Sequence, residues 1–355
     1  METAAFDYEL PEAAIAQEPL DRRDAARLLV DRGPGRVPEH RHVADLDELL
    51  DPGDLLVLNT TRVLPARLAL TKPTGGSAEV LLLERLGGGH EPAAGLSPGS
   101  RWEALVRPSR RLAPGSVLRP PGGGEDLEVE VGEDLGEGRR IVELRTVGDE
   151  LDALARHGAM PLPPYITAPL VEAERYQRVY AERPASAAAP TAGLHLTPEL
   201  LARLAEAGVA RADVELVVGL GTFRPIAVDD VRDHVMHAEH YRVPTTTLEA
   251  CTATRAAGGR VVAVGTTAVR ALESAAATGE LEGRTDLFIH RPYRWQVVDR
   301  LLTNFHLPRS SLLVMIDAFV GPRWRDLYAT ALADGYRFLS FGDAMLLDRS
   351  EGLHQ

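Results

Sequence analysis

The stretch Gly259 to Ser274, GRVVAVGTTAVRALES, decides the fold class. Val261, Val262, Ala263 and Val264 form an unbroken apolar run with no polar alternation, the pattern of a strand buried on both faces of a helix-covered parallel sheet. Gly265 ends the run. Thr266 or Thr267 can then accept from the first free amides of a helix in which Ala268, Val269, Leu272 and Ala275 recur at helical spacing. Arg270 and Glu273, three apart, share a face of that helix. A strand, a glycine turn and a helix start present unpaired N–H groups and partial positive charge above the sheet, where open α/β folds take their ligands. Taken alone, the stretch favours an ordinary turn with no ligand; its weight comes from the segments around it.

Leu55 to Leu58 is a second all-apolar run, delivering Asn59, Thr60, Thr61 and Arg62 at its carboxyl end. A ligand site and an Asx-turn with an arginine salt bridge explain that set equally well. Val214 to Val218 reads as a further buried strand, followed by Gly219, Leu220, Gly221, Thr222, Phe223, Arg224 and Pro225. Two glycines two apart permit close approach of backbone to a ligand. No third glycine follows at the dinucleotide spacing and Pro225 forbids an immediate helix, so the NAD fingerprint is not met. Thr191, Gly193 and His195 lie in a loop before a helix with Thr197 as cap, Pro198 in its first turn and Glu199 behind. Asn304 and His306 stand in the same relation to an apolar helix from Leu312 to Phe319, capped by Ser310.

Val43 to Leu50, Glu150 to His157 and Tyr176 to Ala181 also read as helices, and Leu287 to His290, Trp295 to Val298 and Tyr336 to Asp343 as strands. Between Arg67 and Val147 the texture changes to about six short strands divided by Gly- and Pro-rich turns, the pattern of a small antiparallel barrel. The expected organisation is a catalytic α/β domain from 1–66 and 151–355, with a β-barrel domain inserted at 67–150.

Composition bounds the function. Hydrophobic content of 45% and charged content of 26% are those of a globular protein, and no apolar run is long enough for a membrane helix. The N-terminal stretch carries acids and no base before Arg22, unlike a secretory signal. Cys251, the one cysteine, excludes an internal disulfide and a thiolate metal cluster, which points to the cytoplasm. A net charge of −13 argues against a surface that clings to nucleic acid throughout, and Lys72 is the only lysine. Arg107, Arg110 and Arg111 form a local basic cluster, read first as a solvated loop, with a phosphate contact as the sharper alternative. His234, His237, Glu239 and His240 crowd together without the i, i+4 histidine spacing of a zinc-protease helix, so no metal is expected.

Taken in order, FDYELPEAAIAQEPL with RRDAARLLV, GDLLVLNTTRVLPARL, MPLPPYI, APTAGLHLTPELL, VGLGTFRPI, HVMHAEHY, AVGTTAVRALES, VVDRLLTNFHLPRSSLLVMIDAFVG and YRFLSFGDAM resemble the S-adenosylmethionine:tRNA ribosyltransferase-isomerases of queuosine synthesis. The resemblance covers most of the chain and thins between about Leu86 and Arg156. It implies a distorted doubly wound α/β/α domain carrying a small antiparallel β-barrel. It also implies an enzyme that uses S-adenosylmethionine as ribosyl donor to the aminomethyl group of a 7-deazaguanine base in a tRNA anticodon, with epoxyqueuosine, adenine and methionine as products. The family chemistry begins by removing a proton from the ribose carbon beside the sulfonium, which needs a general base within reach. Neither a metal nor a redox cofactor is implied; the partner is tRNA, and the protein is expected to be a monomer.

Carried onto this sequence, His195 and His306 are the candidates for proton transfer, with His237 and Glu239 as a further pair. Thr191, Gly193, Thr266 and Thr267, with Asn59, Gly219, Gly221, Thr222, Gly265 and Asn304, are the candidate donor-binding set. Arg270 or Arg62 would pair the donor's carboxylate, and Glu273 would hold Arg270. Three positions depart from the family pattern: Val217 for histidine, His290-Arg291-Pro292 for an aromatic-Pro-Gly turn, and Asp317 for serine in an apolar helix. A buried carboxylate is costly unless paired, so Asp317 is expected to face a polar partner. The departures leave two other readings open: the same donor with a small-molecule acceptor, and a binding module without turnover.

Overall fold

The unbroken apolar runs lie side by side. The computed structural model describes residues 1–88, 99–186, 188–219 and 225–350. The chain forms two compact units, one of Met1–Thr61, Pro164–Glu182 and Ala189–Gln355, the other of Arg62–Pro163 and Arg183–Ala188. In chain order the strands begin with β1 (Arg27–Asp31), β2 (Glu39–His42) and β3 (Leu55–Asn59). β4 (Thr61–Val63), β5 (Arg67–Thr71), β6 (Ser77–Gly88), β7 (Ser100–Arg107) and β8 (Ser116–Leu118) follow. Next come β9 (Leu127–Gly136), β10 (Arg139–Thr146), β11 (Gly158–Ala159) and β12 (Arg183–Ser186). The last are β13 (Ala210–Leu216), β14 (Glu239–Arg242), β15 (Val261–Val264), β16 (Glu282–Thr285), β17 (Arg300–Asn304) and β18 (Ala344–Asp348). The helices are α1 (Leu46–Leu49), α2 (Glu150–His157), α3 (Pro198–Glu206), α4 (Thr245–Ala256), α5 (Thr266–Thr278), α6 (Ser311–Val320) and α7 (Trp324–Ala333).

The first unit is built on a nine-stranded sheet in the order β16-β14-β13-β3-β15-β17-β18-β1-β2. β13, β3, β15 and β17 are parallel neighbours, and their carboxyl ends share one edge. Leu56, Leu58, Val262, Val264, Leu302 and Leu346 join Leu46, Leu49, Leu200 and Leu204 of α1 and α3 in one buried cluster. The intervening Leu55, Val57, Val261 and Ala263 are buried as well, and α4 and α5 pack on β3, β13 and β15. Both sets of alternate side chains are therefore excluded from water, which is why these runs show no polar period. Each fully buried leucine or valine contributes about 1.5–3 kcal/mol.

Three expectations about this sheet are corrected. The last strand is not Tyr336–Asp343 but β18, which follows the Gly342 turn and runs antiparallel to β17 and parallel to β1, so the sheet is mixed. The segment before it folds back because the Asp343 carboxylate accepts the Arg337 N–H at 2.8 Å, and because Gly342 passes where a Cβ would lie 2.4 Å from the Arg337 carbonyl. Leu287–His290 and Trp295–Val298 are not strands. Glu273 takes the amides of Gln296, Val297 and Val298 at 2.9–3.0 Å, the groups a ladder would use. Tyr176–Ala181 is not a helix: a short 3-10 turn, Ala173–Tyr176, ends where Arg23 Nη1 claims the Gln177 carbonyl at 2.6 Å.

In the second unit, β11-β5-β6-β7-β10-β9-β8 form an antiparallel sheet. Thr71 and Arg119 exchange backbone bonds of 2.7 and 3.1 Å, so the sheet curls until β5 meets the chain beyond β8. Val80, Leu82, Val106, Val129, Val131, Val142 and Leu144 are buried along alternating positions. The unit extends beyond 67–150, because α2 packs on β5 and β10 and β12 pairs with β4.

Candidate active site

Gly265 turns β15 directly into α5 at φ 83°, a backbone conformation that glycine adopts without strain. Having no side chain, it cannot cap the helix, and the first amides of α5 are left facing a cleft at the carboxyl edge of the sheet. The Thr267 Oγ1 is buried there with no hydrogen-bond partner among the described residues. A helix N-terminus with an unsatisfied hydroxyl beside it suits a carboxylate.

The end of β17 supplies the opposite wall. Asn304 Oδ1 accepts from Thr191 Oγ1 at 2.8 Å, and its amide donates to His195 Nε2 at 3.1 Å and to the Asp343 carbonyl at 3.3 Å. Because that amide can only donate, His195 Nε2 accepts, which leaves the ring proton on Nδ1. Burial pushes the His195 imidazole down to about 4, so the ring is neutral. His306 lines the cleft itself, with Nε2 3.1 Å from Thr303 Oγ1. Its Nδ1 has no hydrogen-bond partner among the described residues. Burial pushes it down to about 3. Two tyrosines hold its peptide: Tyr8 Oη donates to the His306 carbonyl at 2.5 Å, and the His306 N–H donates to Tyr328 Oη at 3.0 Å.

The third wall precedes β18. Ser340 Oγ lies 2.7 Å from Tyr165 Oη, and Leu339 sits at φ 69°, an outlier for a bulky side chain. The cleft is open at its mouth, and with the solvent-filled space there included its empty volume is about 590 Å³. Its described lining is rich in hydroxyls and contains no Asp, Glu, Lys or Arg. Among those lining side chains His306 and Tyr165 are the titratable ones; burial pushes Tyr165 up to about 12, so at neutral pH the phenol keeps its proton and the imidazole is the open acceptor.

Thr191, Gly265, Thr266, Thr267, Asn304 and His306 thus converge on one cleft, with His195 behind Asn304. The remaining candidates lie elsewhere. Asn59 ties Thr61 to Leu216 through its amide and carbonyl, and Arg62 lies on β4 in the second unit. Gly193 makes room for the Tyr180 hydroxyl. Glu239 is ion-paired with Arg270 and accepts the Gly219 N–H at 2.8 Å, so neither charge is offered to the cleft. Glu273 holds the 293–298 loop, not Arg270. His237 is exposed. Gly221 and Thr222 lie outside the described residues. Tyr165, Thr303, Ser340 and Leu339 were not singled out from the sequence, although MPLPPYI and YRFLSFGDAM carry three of them.

Two of the three departures meet. Arg291 Nε and Nη2 donate to the Asp317 carboxylate at 2.6 and 3.0 Å, and Trp324 Nε1 donates to it at 3.2 Å. The expected polar partner of Asp317 is therefore Arg291. Val217 N–H donates to the His240 carbonyl at 2.9 Å, and Val218 is the residue that lines the cleft.

A family model described as queuosine biosynthesis protein matches residues 3–347. This chain belongs to that family. Within the queuosine biosynthesis family it is similar to S-adenosylmethionine:tRNA ribosyltransferase-isomerases from Synechococcus elongatus, 51% identical over 97% of this chain and 95% of that one. The protein of the same name from an Anaeromyxobacter species is 52% identical over 99% of this chain and all of that one. Among solved structures, S-adenosylmethionine tRNA ribosyltransferase from Thermotoga maritima shares 38% identity with a TM-score of 0.54, covering 97% of this chain and 99% of that one.

Proposed function

We propose that the protein transfers and isomerises the ribosyl group of S-adenosylmethionine onto 7-aminomethyl-7-deazaguanine in a tRNA anticodon, releasing adenine and methionine and leaving epoxyqueuosine. The observation that carries the reading is a hydroxyl-rich cleft in which one neutral imidazole, His306, is the available proton acceptor. In this reading the donor's carboxylate sits on the α5 amides with Thr266 and Thr267. His306 then takes the proton from the ribose carbon beside the sulfonium, held in place by Tyr8 and Tyr328. Adenine leaves as the ring opens, the acceptor amine attacks, and the rearranged sugar closes to the epoxide as methionine departs. Burial makes the empty-cleft imidazole a weak base; a bound carboxylate nearby raises its proton affinity. His195 positions Asn304 and Thr191 and does not exchange the proton itself. The same reading takes the first unit as a distorted doubly wound α/β/α catalytic domain and the curled sheet as its inserted barrel, in a cytoplasmic monomer.

The test is adenine and methionine release from S-adenosylmethionine, with and without tRNA carrying the aminomethyl-deazaguanine base. Release that depends on that tRNA, with a matching mass gain on the nucleoside, is the expected result. No release with it, or equal release without it, would overturn the reading.

A further inference from the structure

A second, shallow recess lies beside the cleft, with about 300 Å³ of empty space when the open solvent at its mouth is included, lined by Arg23, Arg175, His195, Ser340, Phe341 and Gly342. Ser340 lines both spaces, and His195 joins them through its bond to Asn304. Arg23 gives Nη1 to the carbonyls of Gln177 and Leu194 at 2.6 and 3.3 Å and Nη2 to that of Glu174 at 2.8 Å, which leaves Nε and one Nη2 hydrogen over. Arg175 gives Nη1 to the Asp21 carbonyl at 3.2 Å and Nη2 to that of Leu20. Arg337, a third cation close to His195, donates to the Glu18 carbonyl at 2.8 Å. Main-chain carbonyls fix a guanidinium in place without neutralising it. No carboxylate comes within ion-pair distance of Arg23, Arg175 or Arg337 among the described residues, although Arg23 feels the more distant Glu174 charge. Burial first, and the neighbouring Arg175 second, hold the Arg23 guanidinium below its usual range. By contrast Arg203, Arg260 and Arg300 of the same unit each have an aspartate partner.

Fixed, partly buried guanidinium groups with donors to spare match the fork geometry of a phosphate. We propose that Arg23 and Arg175 form the subsite for a backbone phosphodiester of the RNA strand flanking the nucleotide under modification. This rests on the tRNA-dependent reading above: the base enters the cleft, and its neighbouring phosphate lies across Ser340 in the recess. Phosphate contacts of this kind position a strand without reading its sequence.

The test measures tRNA binding against salt for wild type, Arg175→Gln, Arg175→Lys, Arg23→Gln and, as a control, Arg325→Gln, an exposed arginine bonded to the Ala5 carbonyl. Glutamine and lysine both keep N–H donors for the carbonyls, so charge is the variable, and thermal melts check the fold. Arg175→Gln and Arg23→Gln should weaken tRNA binding about fivefold or more and each flatten the log K against log salt slope by about 0.7–0.9. Arg175→Lys should keep the slope, Arg325→Gln should change nothing, and the KM for S-adenosylmethionine should stay put. Unchanged slopes in both glutamine variants would overturn the subsite, as would a raised donor KM with tRNA affinity intact. Adenine release by wild type, read in parallel, separates the two claims. Wild-type release with unaffected variants refutes the subsite alone; weakened tRNA binding in variants of a protein that never releases adenine refutes the activity alone.

Discussion

Replacing Arg291 with alanine should destabilise the protein more than replacing Asp317 with serine, although the two share one ion pair. The Asp317 side chain is 1% exposed and that of Arg291 is 33% exposed. Without Arg291, a buried carboxylate keeps only the Trp324 N–H at 3.2 Å, and breaking a buried pair from this side costs about 3–5 kcal/mol. Without Asp317, the guanidinium can turn towards water, and the loss falls to about 1–2 kcal/mol, that of a charge-assisted hydrogen bond. The double variant removes the buried charge altogether and should lie within about 1 kcal/mol of wild type. The coupling energy from the cycle, the sum of the two single losses less a near-zero double, is then about 4–7 kcal/mol, far above the roughly 0.5 kcal/mol scatter of independent sites. Urea unfolding followed by tryptophan fluorescence gives each free energy, with Trp324 reporting directly on the pair. Additive single effects, or an Arg291→Ala no worse than Asp317→Ser, would refute the argument that the two departures are one compensated feature.

Thr267→Val should weaken S-adenosylmethionine binding by about five- to tenfold while raising the melting temperature of the empty protein, because the hydroxyl is buried without a partner until a ligand arrives; calorimetry showing neither change would count against the carboxylate site. His195 and His306, held near 4 and 3 when folded and free to titrate near 6.5 when unfolded, make the unfolded chain take up more protons below pH 6.5. Stability should therefore be full above that pH and fall by about 1.4 kcal/mol per unit for each histidine between pH 6.5 and 4. His306→Gln should roughly halve the slope these two produce, and an unchanged slope would show that the ring does not stay neutral. Glu273→Ala should cost about 3–5 kcal/mol in urea unfolding, since three amides and the Tyr293 hydroxyl lose their acceptor, and a loss below 0.5 kcal/mol would show that the loop holds itself.

The parallel centre of the sheet was legible because burial on both faces removes the polar period, as in Leu55–Leu58 and Val261–Val264. The polar edges were not: Glu39–His42, Glu239–Arg242 and Glu282–Thr285 have no apolar alternation and owe their pairing to neighbouring strands. Helix starts revealed the loops of the cleft, hence Thr191, Thr266, Thr267, Asn304 and His306. They did not reveal orientation. Arg270 sits on the right helix, yet its side chain is drawn to Glu239 across a strand not visible as one in the sequence. Glu273 shares its face but answers amides 20 and more residues further along. Which of two neighbouring charges meets which partner is settled by tertiary pairing, and local spacing does not encode it.

The placement of β18 between β17 and β1 has a consequence for how the protein is made. The Arg27 N–H and the Asp343 carboxylate that receives it are 316 residues apart, and β18 bridges the first strand to the parallel group. During synthesis, β1 and β2 therefore wait for Asp348 to clear the ribosome before they can join the sheet. Ser340, Leu339 and the Asp343 carbonyl that holds Asn304 arrive with it. A nascent chain of this topology carries its long-range pairing cost until β18 has emerged, with unpaired strand edges exposed meanwhile. Closure of this sheet and assembly of the cleft are the same event.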